Sequence, residues 1–478
     1  NNNAVPAEIH QEMLEALKTL EERMGQKLGD VANPLLVSVR SGAKFSMPGM
    51  MDTILNLGLN DETVKALVAK SNNPRFAYDC YRRFIQMYGN VVLEIPKHDF
   101  DEIFDGQKKK VKAKLDTELT AEDLQQVIAG YQKLVQKKTG KAFPQDALEQ
   151  LQGARDAVFG SWFNPRAQHY RKMNQIPDDL GTAVNVQAMV FGNLGETSAT
   201  GVGFTRNPAT GEKVFYGEFL ENAQGEDVVS GVRTPHTFAE LETWNPAVYN
   251  QLREITTMLE NHYRDIQDFE FTVQDGRLFL LQTRVGKRTP YAAARIALDM
   301  FNEGLIGADL ARERTAGLDR EALALPRIVA PSGAPLEPLA RAASASNGVA
   351  VGEIALDEAR AVARRAAGVP FVLVRGDAET SDIAALESAA GLLTQRGART
   401  SHAAVVARQL GKVCLVGCAE LQIDDAARTI KLGETTLREG ELLTLDGNEG
   451  VVYAGAIQTK VEYPRELLAR LESLRQRD

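Results

Sequence analysis

Apolar residues recur every third or fourth position from residue 8 to residue 28, which predicts an amphipathic helix near the start of the chain. The pattern then tightens. Pro34-Leu35-Leu36-Val37-Ser38-Val39-Arg40 reads as a short strand, followed by a Gly/Met/Pro loop, Met47-Pro48-Gly49-Met50-Met51. Helical periodicity dominates to about residue 174, and from 183 to 281 apolar strands separated by polar turns predict a half-buried sheet. Helix returns after Lys287. Residues 326–345, rich in Pro, Ala and Ser, read as a connector and the seat of a hinge. Strand and helix patterns alternate again over 347–455, and a charged helix over 464–475 closes the pattern. The fold class expected is α+β and α/β multidomain, without an internal repeat.

A length of 478 residues, at roughly 150 per domain, suggests about three domains. With 55 Lys and Arg against 64 Asp and Glu the net charge is −9, which argues against a broad nucleic-acid or anionic-membrane surface. An anion site must then be local. Cys80, Cys414 and Cys418 form no CxxC pair and gather no histidines, so neither a disulfide framework nor structural zinc is expected, and a reducing cytoplasmic setting fits. No apolar run approaches the ~20 residues that span a bilayer. The opening Asn1-Asn2-Asn3 is unlike a signal peptide, and because no methionine starts the chain a removed leader stays open.

The densest chemistry lies in Gly397-Ala398-Arg399-Thr400-Ser401-His402-Ala403-Ala404-Val405-Val406-Ala407-Arg408. Thr400 or Ser401 serves as N-cap of a helix closed by Gly411, so His402 falls in the first turn. There the unpaired N–H groups favour an added anion, with the hydroxyls of Thr400 and Ser401 as donors and Arg399 and Arg408 as cationic support. On pattern alone, a histidine that merely caps or packs is the commoner occupant of such a position.

A second constellation is Asp268-Phe269-Glu270, a turn at Asp275-Gly276, and a returning strand ending in Gln282-Thr283-Arg284. Alternation puts Asp268 and Glu270 on one face, and the hairpin brings Gln282 and Arg284 alongside. Such carboxylates suit Mg²⁺ carrying a polyphosphate, and a guanidinium suits phosphate oxygens, although surface charge pairs on an exposed hairpin fit equally. Three further features are weaker. Gly195-Glu196-Thr197-Ser198-Ala199-Thr200-Gly201-Val202-Gly203 reads as a small-residue loop whose backbone can approach phosphates, or as a plain turn. Arg40 and Arg82-Arg83 stand beside apolar segments as anion-binding or salt-bridging cations, and the Met-rich turn is either a substrate loop or a filler of core gaps.

Thr-Ser-His-Ala-Ala-Val-Val-Ala-Arg resembles the phosphohistidine motif of the pyruvate, phosphate dikinase family. Residues 35–60, 73–88, 200–208, 217–235 and 268–288 resemble, in order, its ATP-grasp nucleotide domain. The resemblance implies an ATP-grasp domain over 1–290, incomplete at its N-terminus, a helical connector and hinge over 291–345, a swivelling phosphohistidine domain over 346–460, and a C-terminal helix over 461–478. It implies His402 as phosphoryl carrier, with Thr400, Ser401 and Arg408 in support. Arg40, Arg83, Thr200, Glu226, Asp268, Gln282 and Arg284 would line the nucleotide, with Asp268 and Glu270 holding Mg²⁺. The implied ligands are ATP, AMP, inorganic phosphate and pyrophosphate, with a separate phosphoenolpyruvate/pyruvate domain or other acceptor.

The family's opening Gly-Gly-Lys-Gly segment has no counterpart here, and its (β/α)₈ barrel would follow Asp478, so a shortened or partial enzyme is expected. Ala199 replaces a common glycine. Ala398-Arg399 replace Gly-Met, where the added charge either stabilises phosphohistidine or recognises another acceptor. A non-catalytic phosphocarrier and an ATP-dependent dikinase with a different acceptor are the other readings.

Overall fold

The computed structural model describes residues 4–230, 233–330, 336–377 and 382–476. They form two compact units, 1–190 and 191–478. Unit one opens with helix α1, Ala7–Met24, ended by Gly25 in the left-handed conformation. Strand β1, Val37–Gly42, is the centre of a three-stranded antiparallel sheet between β2, Thr53–Leu57, and β3, Ala183–Ala188. Helix α2, Pro74–Val91, starts at an Asn73 cap that accepts from the Phe76 N–H, with proline at its first position. Its buried Phe76, Cys80, Phe84, Ile85 and Tyr88 build the core, where Phe143 stacks edge-on against Phe84 and Tyr88. Met47 and Met50 are buried, so the Met-rich turn fills core space.

The expected sheet over 183–281 divides. Beyond β3, unit two carries five antiparallel strands in the order β8-β7-β4-β5-β6, from β4, Ala199–Phe204, β5, Tyr216–Glu221, β6, His236–Thr237, β7, Gln267–Gln274, and β8, Arg277–Val285. One face packs Phe219, Phe269, Phe271 and Val273 on Phe238, Leu241, Val248 and Leu252. The other, by the two-residue period, carries Tyr216, Glu218 and Leu220, then Thr200, Val202 and Phe204, then Asp268, Glu270 and Thr272, then Gln282 and Arg284. The stretch read as a small-residue loop is strand from Ala199 onward. Residues 199–203 belong to β4, hydrogen-bonded on both sides by β5 and β7, so its ladder groups are engaged. Its glycines make room for rings, because a Cβ on Gly201 would lie 2.5 Å from Phe271 and one on Gly203 2.4 Å from Phe269.

Helix α3, Pro290–Asn302, follows a Thr289 cap. The chain then enters an eight-stranded sheet whose middle is parallel: Val349–Ala355, Phe371–Arg375, Gly391–Thr394 and Val413–Val416. Helix α4, His402–Gln409, is the crossover between the last two of these strands, so His402 lies just beyond a strand's carboxyl end, where open parallel sheets place ligands. Burial pushes the Cys414 thiol up to about 12 and the Cys418 thiol to about 11, which keeps both protonated near neutral pH.

The stretch read as a connector is only partly one. Leu325–Ile328 pairs antiparallel with Thr459–Glu462, Ala340–Arg341 and Ala343–Ser346 are strands of the large sheet, and residues 331–335 lie outside the described residues. Paired backbone therefore replaces part of the expected irregular chain. The closing helix α5, Arg465–Arg475, buries Leu467, Leu471 and Leu474 in one cluster with α3 side chains. Among the described residues no helix is long and apolar enough to cross a membrane.

Candidate active site

The β7–β8 hairpin delivers the convergence expected of it. Register pairs Arg284 with Asp268 and Gln282 with Glu270, across a bulge between Leu280 and Gln282. The Arg284 guanidinium bridges both carboxylates, with Nε 3.0 Å from Asp268 Oδ1 and Nη2 2.7 Å from Glu270 Oε1. Burial raises the Asp268 carboxyl above the ordinary aspartate value, with Arg284 pulling against it, and the two carboxylates hold Arg284 firmly charged despite its own burial. Lys287, which sequence reasoning did not select, is depressed by burial and by Arg288, while Asp268 acts to raise it. Thr200 is buried and its hydroxyl donates to the Phe271 carbonyl at 3.2 Å. Glu226 stands on the short helix Gly225–Ser230.

In unit one, Arg40 lies on β1 between Thr53 and Asn185 in register. Arg83 on α2 donates through Nε to Asp79 Oδ2 at 2.8 Å, and Arg82 takes the other oxygen at 2.7 Å while its guanidinium lies 4.4 Å from the Phe104 ring centre. Arg82 is thus a core brace. Burial alone would raise Asp79, but Arg83 and Arg82 outweigh it and hold the carboxyl well below its usual range. A folded-state pKa below the unfolded ~3.9 contributes stability above that pH, and the contribution is lost as pH falls through and below it. Urea unfolding from pH 6 to pH 3 should show this loss, and Asp79→Asn should flatten the acid limb; an unchanged slope in the variant would remove Asp79 from the explanation.

The α4 entrance differs from expectation in detail. Ser401 is the N-cap, accepting from the Ala404 N–H at 3.3 Å, and His402 is the half-buried first helical residue. Thr400 turns instead to Glu218 on β5. The Glu218 carboxylate accepts from Thr400 Oγ1 at 2.9 Å, Thr400 N at 3.1 Å, Arg399 Nε at 3.0 Å and Arg399 N at 3.4 Å. Arg399 also lies over Tyr216, 4.9 Å from the ring centre. Arg408 is fully buried and braces the loop through its backbone, donating to the Arg399 carbonyl at 2.8 Å and the Ala345 carbonyl at 3.3 Å. Its support of His402 therefore runs through the loop.

Glu218, Val202, Glu270 and Gln282 form one row across the sheet. Two strand spacings place the Glu218 and Glu270 backbones about 10 Å apart on a common face. The histidine loop is docked on the face that carries the Arg284-bridged carboxylates. Glu218 was missed by sequence reasoning, although a carboxylate at the apolar centre of Tyr216-Gly217-Glu218-Phe219-Leu220 was a visible signal. Its partners are 181 and 182 residues away.

Asp268 and Glu270 fit Mg²⁺ only as a partial ligand set. Among the described residues no three His, Cys, Asp or Glu side chains gather as a metal site. Two carboxylates suit an ion that brings phosphate oxygens and water as its remaining ligands, which is the usual habit of Mg²⁺.

Comparison with known proteins gives two family matches. The pattern described as "Pyruvate phosphate dikinase, AMP/ATP-binding domain" covers residues 1–244 and 245–305, and that described as "PEP-utilising enzyme, mobile domain" covers 368–450. The pyruvate, phosphate dikinase of Clostridium symbiosum is 50% identical over 463 residues, covering 95% of this chain and 52% of the relative. That of Giardia intestinalis is 49% identical over 459 residues, covering 95% and 52%. The chloroplastic pyruvate, phosphate dikinase of Flaveria pringlei is 49% identical over 455 residues, covering 95% and 48%. The chain spans about half the length of these relatives.

Proposed function

Because the chain belongs to the pyruvate phosphate dikinase AMP/ATP-binding domain family, we propose that it forms a phosphohistidine at His402 from ATP and inorganic phosphate. The observation that carries this reading is the docking of the His402 loop, through Glu218, onto the sheet face bearing Asp268, Glu270, Gln282 and Arg284.

The His402 imidazole attacks the β-phosphorus of ATP, the bond to the α-phosphate oxygen breaks and AMP leaves. Inorganic phosphate then attacks the outer phosphorus, pyrophosphate departs, and one phosphoryl group stays on the imidazole. Splitting one transfer in two gives each step a good leaving group. The residues' work is positioning and charge neutralisation. Arg284 and Lys287 bind phosphate oxygens, Gln282 and Glu226 orient the nucleotide, Thr200 fixes the strand beneath it, and Ser401 and Arg408 hold the helix entrance still. Asp268 and Glu270 would hold Mg²⁺, which when bound neutralises charge developing on the polyphosphate. Delivery to pyruvate, which the relatives' names contain, requires the domain built on the eight-stranded sheet to leave this face. We place its pivot beside the paired segments 325–328 and 459–462, near where the chain enters and leaves that domain.

The test is incubation with Mg²⁺ and ATP labelled at the β-phosphate, with acid-lability and peptide mapping. Acid-labile label on the His402 peptide is expected, and none on a folded protein would overturn the reading. Glu218→Gln, which loosens docking, should slow label incorporation roughly 10–100-fold with ATP affinity unchanged by calorimetry. Equal incorporation rates would remove Glu218 from the docking contact.

A further inference from the structure

The donors converging on Glu218 make an arrangement that is not specific to glutamate. Two successive backbone N–H groups, a hydroxyl and a guanidinium N–H surround one carboxylate, at 2.9–3.4 Å. Backbone nests of this kind with an added arginine bind phosphate and carboxylate alike, because both present oxygens at similar spacing and both carry negative charge. The seated carboxylate comes from another part of the chain, β5, and reports what the pocket accepts.

The surroundings favour an anion independently of Glu218. Arg408 is completely buried, and among the described residues its Nε and Nη2 have no hydrogen-bond partner. Arg399 and Arg408 both lie against aromatic rings, Tyr216 and Phe204 respectively. All the donors, from Arg399 and Thr400, belong to the phosphohistidine domain, as does Arg408, whereas Glu218 and Tyr216 belong to the five-stranded sheet. Withdrawing the carboxylate would leave the Arg399 guanidinium without its ion-pair partner and remove a negative charge that acts on buried Arg408, which is costly where water is scarce.

We propose that the cradle of Arg399 and Thr400 is a binding site for inorganic phosphate, plugged by the Glu218 carboxylate while the domain is docked and open to the free anion once it lifts. The proposal rests on the swivelling of the domain described above. Phosphate in the cradle would compete with docking. High phosphate would then hold the domain away from the sheet, two residues from His402, and a low concentration would let Glu218 return.

The test follows the backbone amide resonances of Arg399 and Thr400 during titration with inorganic phosphate, in the parent chain and in Glu218→Ala, Glu218→Gln and Glu218→Ala/Arg399→Met. Phosphate should shift both amides at least tenfold more tightly in Glu218→Ala than in the parent, with Glu218→Gln also tighter, and adding Arg399→Met should weaken the site at least tenfold. Glu218→Gln keeps the side chain's volume and serves if the alanine variant does not fold. Equal affinity in parent and Glu218 variants, shifts absent from these amides, or full affinity without Arg399 would overturn the proposal. The titration needs no ATP, so it is read separately from label transfer. Phosphate bound near Arg284 would be insensitive to Arg399→Met.

Discussion

Replacing His402 with alanine is expected to abolish acid-labile phosphoenzyme completely while leaving the fold intact. His402 is the first residue of α4 and half-buried, and the Ser401 cap that starts the helix does not use its side chain. Alanine is a good helix former, so α4 should persist. What disappears is the nucleophile. No other histidine lies within the 390–420 region, and the nearby thiols of Cys414 and Cys418 are held protonated by burial. Label from ATP should fall to background, and AMP formation should stop with it, because without an acceptor the β-phosphorus meets only water. Undiminished AMP formation by the variant would sink the assignment of His402.

The second large effect is expected from Arg284→Ala, and it has two parts. Arg284 joins Asp268 and Glu270 inside a mostly buried site. Removing it leaves two carboxylates on one strand face with a counter-charge gone, and loss of one partner from a buried pair costs about 3–5 kcal/mol of folding stability. The same guanidinium is a phosphate ligand in the proposed chemistry, and deleting such a donor lowers transfer by roughly 10²–10³-fold. Denaturant unfolding and phosphoenzyme formation must therefore both fall. Arg284→Lys separates the parts: a lysine retains charge but lacks the fork that reaches two carboxylates at once, so it should recover part of the stability and little of the rate. A variant that loses stability yet labels His402 at the parent rate would make Arg284 a structural brace only.

Much of the local architecture was readable from residue pattern. The period of two in Asp268-Phe269-Glu270-Phe271 places phenylalanines in the core and carboxylates on the opposite face, and the turn at Asp275-Gly276 folds Arg284 back beside them. Asn73-Pro74, Thr289-Pro290 and Ser401-His402 each start a helix, since capping involves residues three positions apart. The small-residue stretch misled for a physical reason. Glycine in a loop and glycine under a ring look alike in one dimension, and only the aromatic side chains of Phe238, Phe269 and Phe271 show which applies at Gly201, Gly203 and Gly217.

By itself the sequence determined the opening helix, the hairpin that gathers Asp268, Glu270 and Arg284, and the helix entrance at His402, because each depends on contacts between residues near one another along the chain. Only the tertiary structure decided that Thr400 turns to Glu218, that Arg408 braces the loop from within, and that residues 340–346 are sheet. The contacts to Glu218, Ala345 and the 413–416 strand join segments from 63 to 182 residues apart, and no local periodicity encodes which distant group each will meet.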